Sequence, residues 1–540
     1  MSVMHDDSDL TSGFTPHLPT AAARYRELGL WRETPLWRML WDQADATPDA
    51  PAVSDITRTL SYRDLADSSA RRAAGFVDAG LRPGERVVLQ NKNSVDFAVN
   101  FFGMLRAGIA PVMTLPAHRI NEIAHLAQTA GAVAYVCHGH AGGYDYRDLA
   151  HQLRGRVDTI RAVFVDGDRG SEAAPPQGDP SCLEVVPTPD PDSPALFLVS
   201  GGTTGLPKLI PRTHNDYRYN AELSAEVAGW TSSDTYLVAL PAAHNFPLAC
   251  PGLLGIISVG GHAVFTDNPS PDHAFDLIEK YRVTAVALVP ALAQVWTAAT
   301  EWEPADVSSL RLLQVGGAKL AESDAIAANA AFGGAVQQVF GMAEGLICYT
   351  RSTDDEQTVT RTQGRPMSDH DELRVVDENG DEVPDGTEGE LLVRGPYTIR
   401  GYYRAGEQGR RSFTDDGFYC SGDRVRRLAS GHLIVTGRIK DTIVRGGENV
   451  AADDVEENLV AHNNIRQAAV VGVPDDSLGE RICAVIVADG PAPDLPTIRQ
   501  FLADRGLATF KQPDQLEVVA GLPVTAVGKI DKRALLLQLT

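Results

Sequence analysis

The sequence predicts an α/β protein: a large N-terminal domain of layered α/β subdomains with a β subdomain, and a small α+β C-terminal domain. Three observations predict it. From about Pro35 to Leu428, apolar β-branched runs alternate with alanine-rich helical stretches, the texture of layered sheets with largely parallel strands. Around residues 372–400 the runs shorten and turns crowd in, as in Glu390-Leu391-Leu392-Val393-Arg394-Gly395. After Gly437 a third texture begins, and about 100 residues remain. A chain of 540 residues is too long for one core, so the domains are set at 1–439 and 440–540.

Taken in order, Arg86–Gln90 reads as a strand and Phe97–Leu105 as a helix. Ala110–Met113, Ala132–Val136, Tyr236–Leu240, Ala285–Val289 and Leu312–Val315 read as further strands. Asp166–Ser193 is rich in Pro, Gly, Ser and Asp and reads as a surface loop. Ala195–Val199 is a short apolar run, the signature of a buried strand. Leu248–Phe265 is the most membrane-like run, but Pro251, His262 and several glycines make it a buried wall. In the C-terminal part, Asp453–Leu459 and Thr497–Asp504 read as helices and Ala468–Val473 and Ile482–Val487 as strands.

Bulk properties bound the function. With 43% hydrophobic and 22% charged residues the chain reads as an ordinary soluble globular protein. Its 48 basic against 71 acidic residues give a net charge of −23, which argues against non-specific binding to nucleic acid or an anionic membrane. The six cysteines are scattered without a C-x-x-C pair, as expected of free thiols in a cytosolic protein. The acidic start Met1–Asp7 lacks the layout of a signal peptide, and cytoplasm is the expected location.

The residues that carry chemistry begin at Ser200-Gly201-Gly202-Thr203-Thr204-Gly205-Leu206-Pro207-Lys208. Glycines let backbone N–H groups approach an anion, hydroxyls add donors, and lysine adds a point charge. This phosphate cradle is not the usual P-loop, because Leu206 and Pro207 separate the last glycine from the lysine. Glu344, in Phe340-Gly341-Met342-Ala343-Glu344-Gly345, is framed by glycines just after Val339. It suits Mg²⁺, which takes one or two carboxylates when phosphates fill its other positions. Asp423, in Tyr419-Cys420-Ser421-Gly422-Asp423, serves either as turn chemistry or as a bidentate grip on two ribose hydroxyls.

Gly437-Arg438-Ile439-Lys440-Asp441 sits where the texture changes, and Arg445-Gly446-Gly447-Glu448-Asn449 follows. Lys440 is a candidate hinge residue, of the kind that absorbs φ/ψ change at a boundary. Lys529 lies on a glycine-bearing turn, where an isolated lysine is ordinarily surface decoration. Pro241–Gly252 is an apolar bend carrying His244, Asn245 and Cys250. That composition fits an apolar pocket with a few placed polar groups; a satisfied structural His-Asn pair is the plain alternative.

The order and spacing of these segments resemble the adenylate-forming superfamily of acyl-CoA ligases, luciferases and nonribosomal-peptide adenylation domains. The likeness runs from about Leu36 to Leu539 through Ser200–Lys208, Gly341–Glu344, Ser421–Asp423, Gly437–Asp441 and Gly528-Lys529. Ala243–Leu248, Val315–Lys319, Gly341–Leu346 and Gly528–Leu535 are similar to stand-alone aryl-acid–AMP ligases. The resemblance implies ATP and Mg²⁺ as cofactors, and a carboxylate attacking the α-phosphorus to release pyrophosphate. It then implies acyl transfer to the phosphopantetheine arm of an aryl carrier protein in siderophore or related peptide assembly.

The resemblance also implies roles. Ser200, Gly201, Gly202, Thr203, Thr204, Gly205 and Lys208 handle the β,γ-phosphates, and Glu344 binds Mg²⁺. Gly317 and Val339 border the adenine, Asp423 holds the ribose, and Arg438 reaches the nucleotide. Lys529 and His244 are catalytic. His244, Asn245, Phe246, Cys250, Gly316, Val339, Gly341 and Ile347 hold the acid. The C-terminal domain turns about Lys440, where many relatives carry aspartate, exchanging Lys529 for the segment around Gly446-Gly447. No carrier segment follows Leu539, so the acceptor is expected to be a separate protein or domain, with Arg445, Lys532 and Arg533 as candidate contacts.

Within that likeness, the Asn245 amide is placed to bond an ortho hydroxyl. Cys250 stands where dihydroxybenzoate activators carry serine, and a thiol is a weak partner for a 3-hydroxyl. Ile347 is bulkier than the common valine, Phe246 replaces a common tyrosine, and Cys348 stands where relatives usually have asparagine. Cys250, Ile347 and Phe246 favour salicylate, with 2,3-dihydroxybenzoate or another ortho-substituted aryl acid as the alternative; Cys348 departs from the pattern and bears on the fine shape of the pocket. An aryl-CoA ligase and a catalytically silent nucleotide-binding scaffold are the rival readings.

Overall fold

The computed structural model describes residues 10–200, 207–377, 379–438, 442–523 and 532–539. Two large sheets form the body. One has nine strands, and its six central members run parallel in the spatial order 336–341, 312–316, 285–288, 235–238, 262–265 and 51–54. Antiparallel strands close both edges. The second sheet has six strands, parallel except for the edge pair Pro194–Val199 and Leu209–Thr213.

The strand cores follow the apolar runs. Arg86–Gln90 and Ala110–Met113 form as the sequence predicts, and 132–136 shifts to Ala134–His138. Helix Val95–Arg106 contains the expected 97–105 segment, with the Ser94 hydroxyl capping its first turn. Phe97, Phe101 and Phe102 on it are fully buried, each contributing about 1.5–3 kcal/mol over an exposed ring. The Leu248–Phe265 run splits into helix Gly252–Ser258 and strand His262–Phe265 within a continuous core. No helix among the described residues is long and apolar enough to cross a membrane.

A four-stranded antiparallel sheet, Glu372–Val376, Glu388–Arg394, Tyr419–Arg427 and Leu433–Arg438, forms the β subdomain. Beyond residues 439–441, which lie outside the described residues, a five-stranded sheet carries helices Ala452–Val460 and Leu495–Asp504. It has its own core, including Ile443, Val455, Leu459, Ile482, Ile498 and Leu502.

One strand was not legible in the pattern. Leu209–Thr213 carries Pro211 and Arg212, yet it pairs antiparallel with Pro194–Val199, Leu209 opposite Val199. The cradle is therefore the connection of a hairpin. Its base is pinned by Ser200 N–H donating to the Lys208 carbonyl at 3.0 Å and Lys208 N–H donating to Ser200 Oγ at 3.3 Å. Edge placement explains why the proline is tolerated.

Candidate active site

Parallel strands deliver their loops at their carboxyl ends, which is where open α/β sheets bind ligands. His244 follows strand Thr235–Val238, Gly317 follows Leu312–Gly316, and Glu344 follows Val336–Gly341. Together with the cradle hairpin and the β subdomain they wall a cavity of about 450 Å³. Ser200, Lys208, His244, Asn245, Phe246, Cys250, Gly317, Val339, Gly341, Glu344, Ile347 and Asp423 all line it. Residues widely separated in the chain thus meet in one place.

The phosphate end is built around Tyr402. Its hydroxyl donates to Glu344 Oε1 at 2.8 Å, and the Lys208 ammonium sits over its ring, 4.5 Å from the centroid. Glu344 is 7% exposed, and its backbone carbonyl accepts the Ile399 N–H at 2.8 Å. Arg212 fixes the same loop from behind. Fully buried, it pairs with Asp216 at 2.8 Å and donates to the carbonyls of Ala343 and Tyr397. Asp423 is buried in strand Tyr419–Arg427, opposite Arg438, and its N–H donates to Ser421 Oγ at 3.0 Å.

The opposite end is apolar with a short polar chain. Tyr217 donates its hydroxyl hydrogen to Asn245 Oδ1 at 2.9 Å, and Asn245 Nδ2 donates to Cys250 Sγ at 3.3 Å. Burial pushes the Cys250 thiol up to about 12, so it is a neutral thiol. Burial likewise lowers His244 to about 4, and its neutral ring accepts the Phe246 N–H at Nδ1. Gly316 is not a lining residue; it stands behind Phe246, and a Cβ there would lie 2.6 Å from the Val339 carbonyl oxygen and 3.2 Å from the Phe246 ring. Cys348 is buried beside Ile347 but does not line the cavity.

Gly447, Glu448, Asn449, Phe510 and Lys511 of the C-terminal part also line the cavity. The approach is close: a Cβ on Gly317 would lie 3.6 Å from the Gly447 Cα. Gly201–Gly205, Lys440 and Lys529 fall outside the described residues, as does the Arg438 side chain. Arg445 and Lys532 engage in internal ion pairs, Arg445 with Asp514 at 2.7 Å and Lys532 with Glu456 at 2.8 Å. The Arg533 side chain is not described. Arg212, Tyr217 and Tyr402 escaped the sequence reading. Arg212 was the traceable one, since Thr213-x-x-Asp216 is a capping-box pattern with an i,i+4 charge pair.

A profile of the AMP-binding enzyme family matches residues 40–403, and one of the AMP-binding enzyme C-terminal domain matches 454–529. The chain belongs to the AMP-binding enzyme family. This AMP-binding enzyme is 49% identical to a salicyl-AMP ligase / salicyl-S-ArCP synthetase of Mycobacterium tuberculosis, over 98% of this chain and 94% of that one. It is 46% identical to the vibriobactin-specific 2,3-dihydroxybenzoate-AMP ligase of Vibrio cholerae, over 97% and 98%. Among solved structures, apo MbtA of Mycobacterium smegmatis is 51% identical with a TM-score of 0.75, covering 98% of this chain and 99% of that one.

Proposed function

We propose that this enzyme activates an ortho-hydroxylated aryl acid, salicylate first, and passes the acyl group to the phosphopantetheine thiol of an aryl carrier protein. The observation that carries the reading is the Tyr217–Asn245–Cys250 chain at the apolar end of a cavity whose other end holds Lys208, Glu344 and Asp423. The Tyr217 hydroxyl occupies the amide oxygen and turns the amide NH₂ towards Cys250. That leaves a donor for an ortho oxygen and a weakly bonding thiol beyond it. The relatives named for salicylate and for 2,3-dihydroxybenzoate support the aryl-acid class.

In the first step a carboxylate oxygen bonds to the α-phosphorus of ATP. The bond from that phosphorus to the bridging oxygen breaks, and pyrophosphate leaves. In the second step the thiol sulfur bonds to the acyl carbon, the bond from that carbon to the adenylate's phosphate oxygen breaks, AMP leaves with the electron pair, and the thiol proton passes to solvent. Such chemistry needs positioning and charge stabilisation rather than a covalent enzyme intermediate. Lys208 and the cradle hold the β,γ-phosphates, Asp423 the ribose, and Gly317 and Val339 the adenine. Lys529, on the 440–540 module, offsets charge on the attacking carboxylate and α-phosphate. A single carboxylate beside a phosphate loop fits Mg²⁺, so Glu344 would hold it. The ion supplies charge neutralisation on the phosphates.

A substrate panel in ATP–pyrophosphate exchange tests the reading, with salicylate expected to give the highest kcat/KM. Clear preference for 2,3-dihydroxybenzoate overturns the choice of acid. Efficient use of free CoA overturns the carrier as acceptor, and no exchange with any aryl acid leaves a nucleotide-binding scaffold.

A further inference from the structure

Between the body and the C-terminal module lies a small charged seam. Glu122 is the third residue of helix Ile120–Ala130 and is 2% exposed. Its Oε2 accepts the Arg119 N–H at 3.0 Å, which starts the helix. Its Oε1 faces the module, accepting the Ala508 N–H at 3.3 Å and lying 3.2 Å from the Lys511 ammonium. Lys511 is 6% exposed and also bonds Asp454 at 2.8 Å. Burial disfavours its charged form, but Glu122 and Asp454 more than offset that and raise its affinity for the proton.

The rest of the seam is short-range. Asn121 donates to the Arg505 carbonyl, and the His118 and Phe510 rings lie 6.2 Å apart. Gly506 has φ +84, and a Cβ there would come within 2.7 Å of the Ile120 side chain. Asp454 lies on helix Ala452–Val460, directly after strand Glu448–Ala451. The Glu122–Lys511–Asp454 line therefore ties the body to the segment that presents Gly447, Glu448 and Asn449 to the cavity.

We propose that Glu122 is a positioning residue for acyl transfer, a latch that completes the Lys511 ion pairs only when Gly447–Asn449 face the active site. This rests on the two-step reading above. Lys511 and Asp454 travel together in the module, so of the two Lys511 ion pairs only the one to Glu122 is broken when the module turns away. Buried ion pairs add little net stability, because desolvation consumes most of the attraction. Losing one partner is another matter, since an unmatched buried charge is strongly penalised. The Lys511 charge is also felt at Glu448, opposing the burial that lifts its carboxyl to about 7.

The test separates the two half-reactions in the full-length enzyme. Glu122→Gln keeps the helix cap and removes the charge. Exchange of pyrophosphate with salicylate is expected to stay within about twofold, while kcat for transfer from preformed salicyl adenylate to the phosphopantetheinylated carrier falls about tenfold. KM for the carrier should hold, and Glu122→Asp should recover part of the loss. Asn121→Asp, a change at a half-buried side chain that sets a carboxylate against the Arg505 carbonyl, should act in the same direction if Glu122→Gln folds poorly. Undiminished transfer, or equal loss in both half-reactions, overturns the latch. Wild-type enzyme that exchanges pyrophosphate with no aryl acid would instead overturn the two-step reading itself.

Discussion

The Tyr217 hydroxyl lies 2.9 Å from Asn245 Oδ1 and both side chains are buried, so the orientation of one amide is set by one phenol. Tyr217→Phe leaves that amide oxygen without its donor, a penalty of about 1–3 kcal/mol at a buried site. KM for salicylate is expected to rise about five- to tenfold with KM for ATP nearly unchanged. Steady-state exchange kinetics varying each substrate separately will show whether the effect stays on the acid.

Cys250 receives the other end of the same amide. Cys250→Ser exchanges a weak partner for a full hydroxyl donor and acceptor. The ratio of kcat/KM for 2,3-dihydroxybenzoate over salicylate should rise about tenfold, the equivalent of one good hydrogen bond. An unchanged ratio in a competition assay would remove Cys250 from the specificity argument.

Arg212 is a buried charge with one carboxylate and two carbonyl partners. Arg212→Met removes the counter-charge of the buried Asp216, leaving it only its Thr213 hydrogen bonds, a loss of about 3–5 kcal/mol. Urea unfolding should report that loss. Pyrophosphate exchange should fall as well, because the Ala343 carbonyl that steers Glu344 is released. A variant as stable as wild type would show the pair to be dispensable.

Lys529→Ala is expected to cut pyrophosphate exchange about 100-fold or more, in the range seen when one charge-stabilising donor is lost. Transfer from supplied salicyl adenylate should survive. Loss of both activities together would deny Lys529 a role confined to adenylation.

The sequence carried the layered α/β body because buried parallel strands are continuous apolar runs, such as Ala285–Leu288 and Leu312–Gly316. It carried part of the lining of the candidate site where the pattern held an odd residue: Lys208 after a glycine run, Glu344 between glycines, Asp423 after a turn. It did not carry Leu209–Thr213, whose Pro211 and Arg212 break the strand pattern and whose pairing is supplied by the tertiary fold. Nor did it carry Tyr217 and Tyr402, since a tyrosine that orients a neighbour leaves no local mark. The seam at Glu122 was invisible for a further reason: its partners lie nearly 400 positions away.

Strand Pro51–Ser54 pairs in parallel with His262–Phe265, Val53 opposite Ala263. On a ribosome adding about 5–20 residues per second, its partner emerges roughly 10–40 s after it does. For that interval the hairpin Pro51–Ser61 offers an open edge to any passing chain. The birth order of this enzyme thus sets a period of exposure that no property of the finished fold reveals. Overproduction without chaperones should therefore lose more chain to aggregation than its folded stability would forecast.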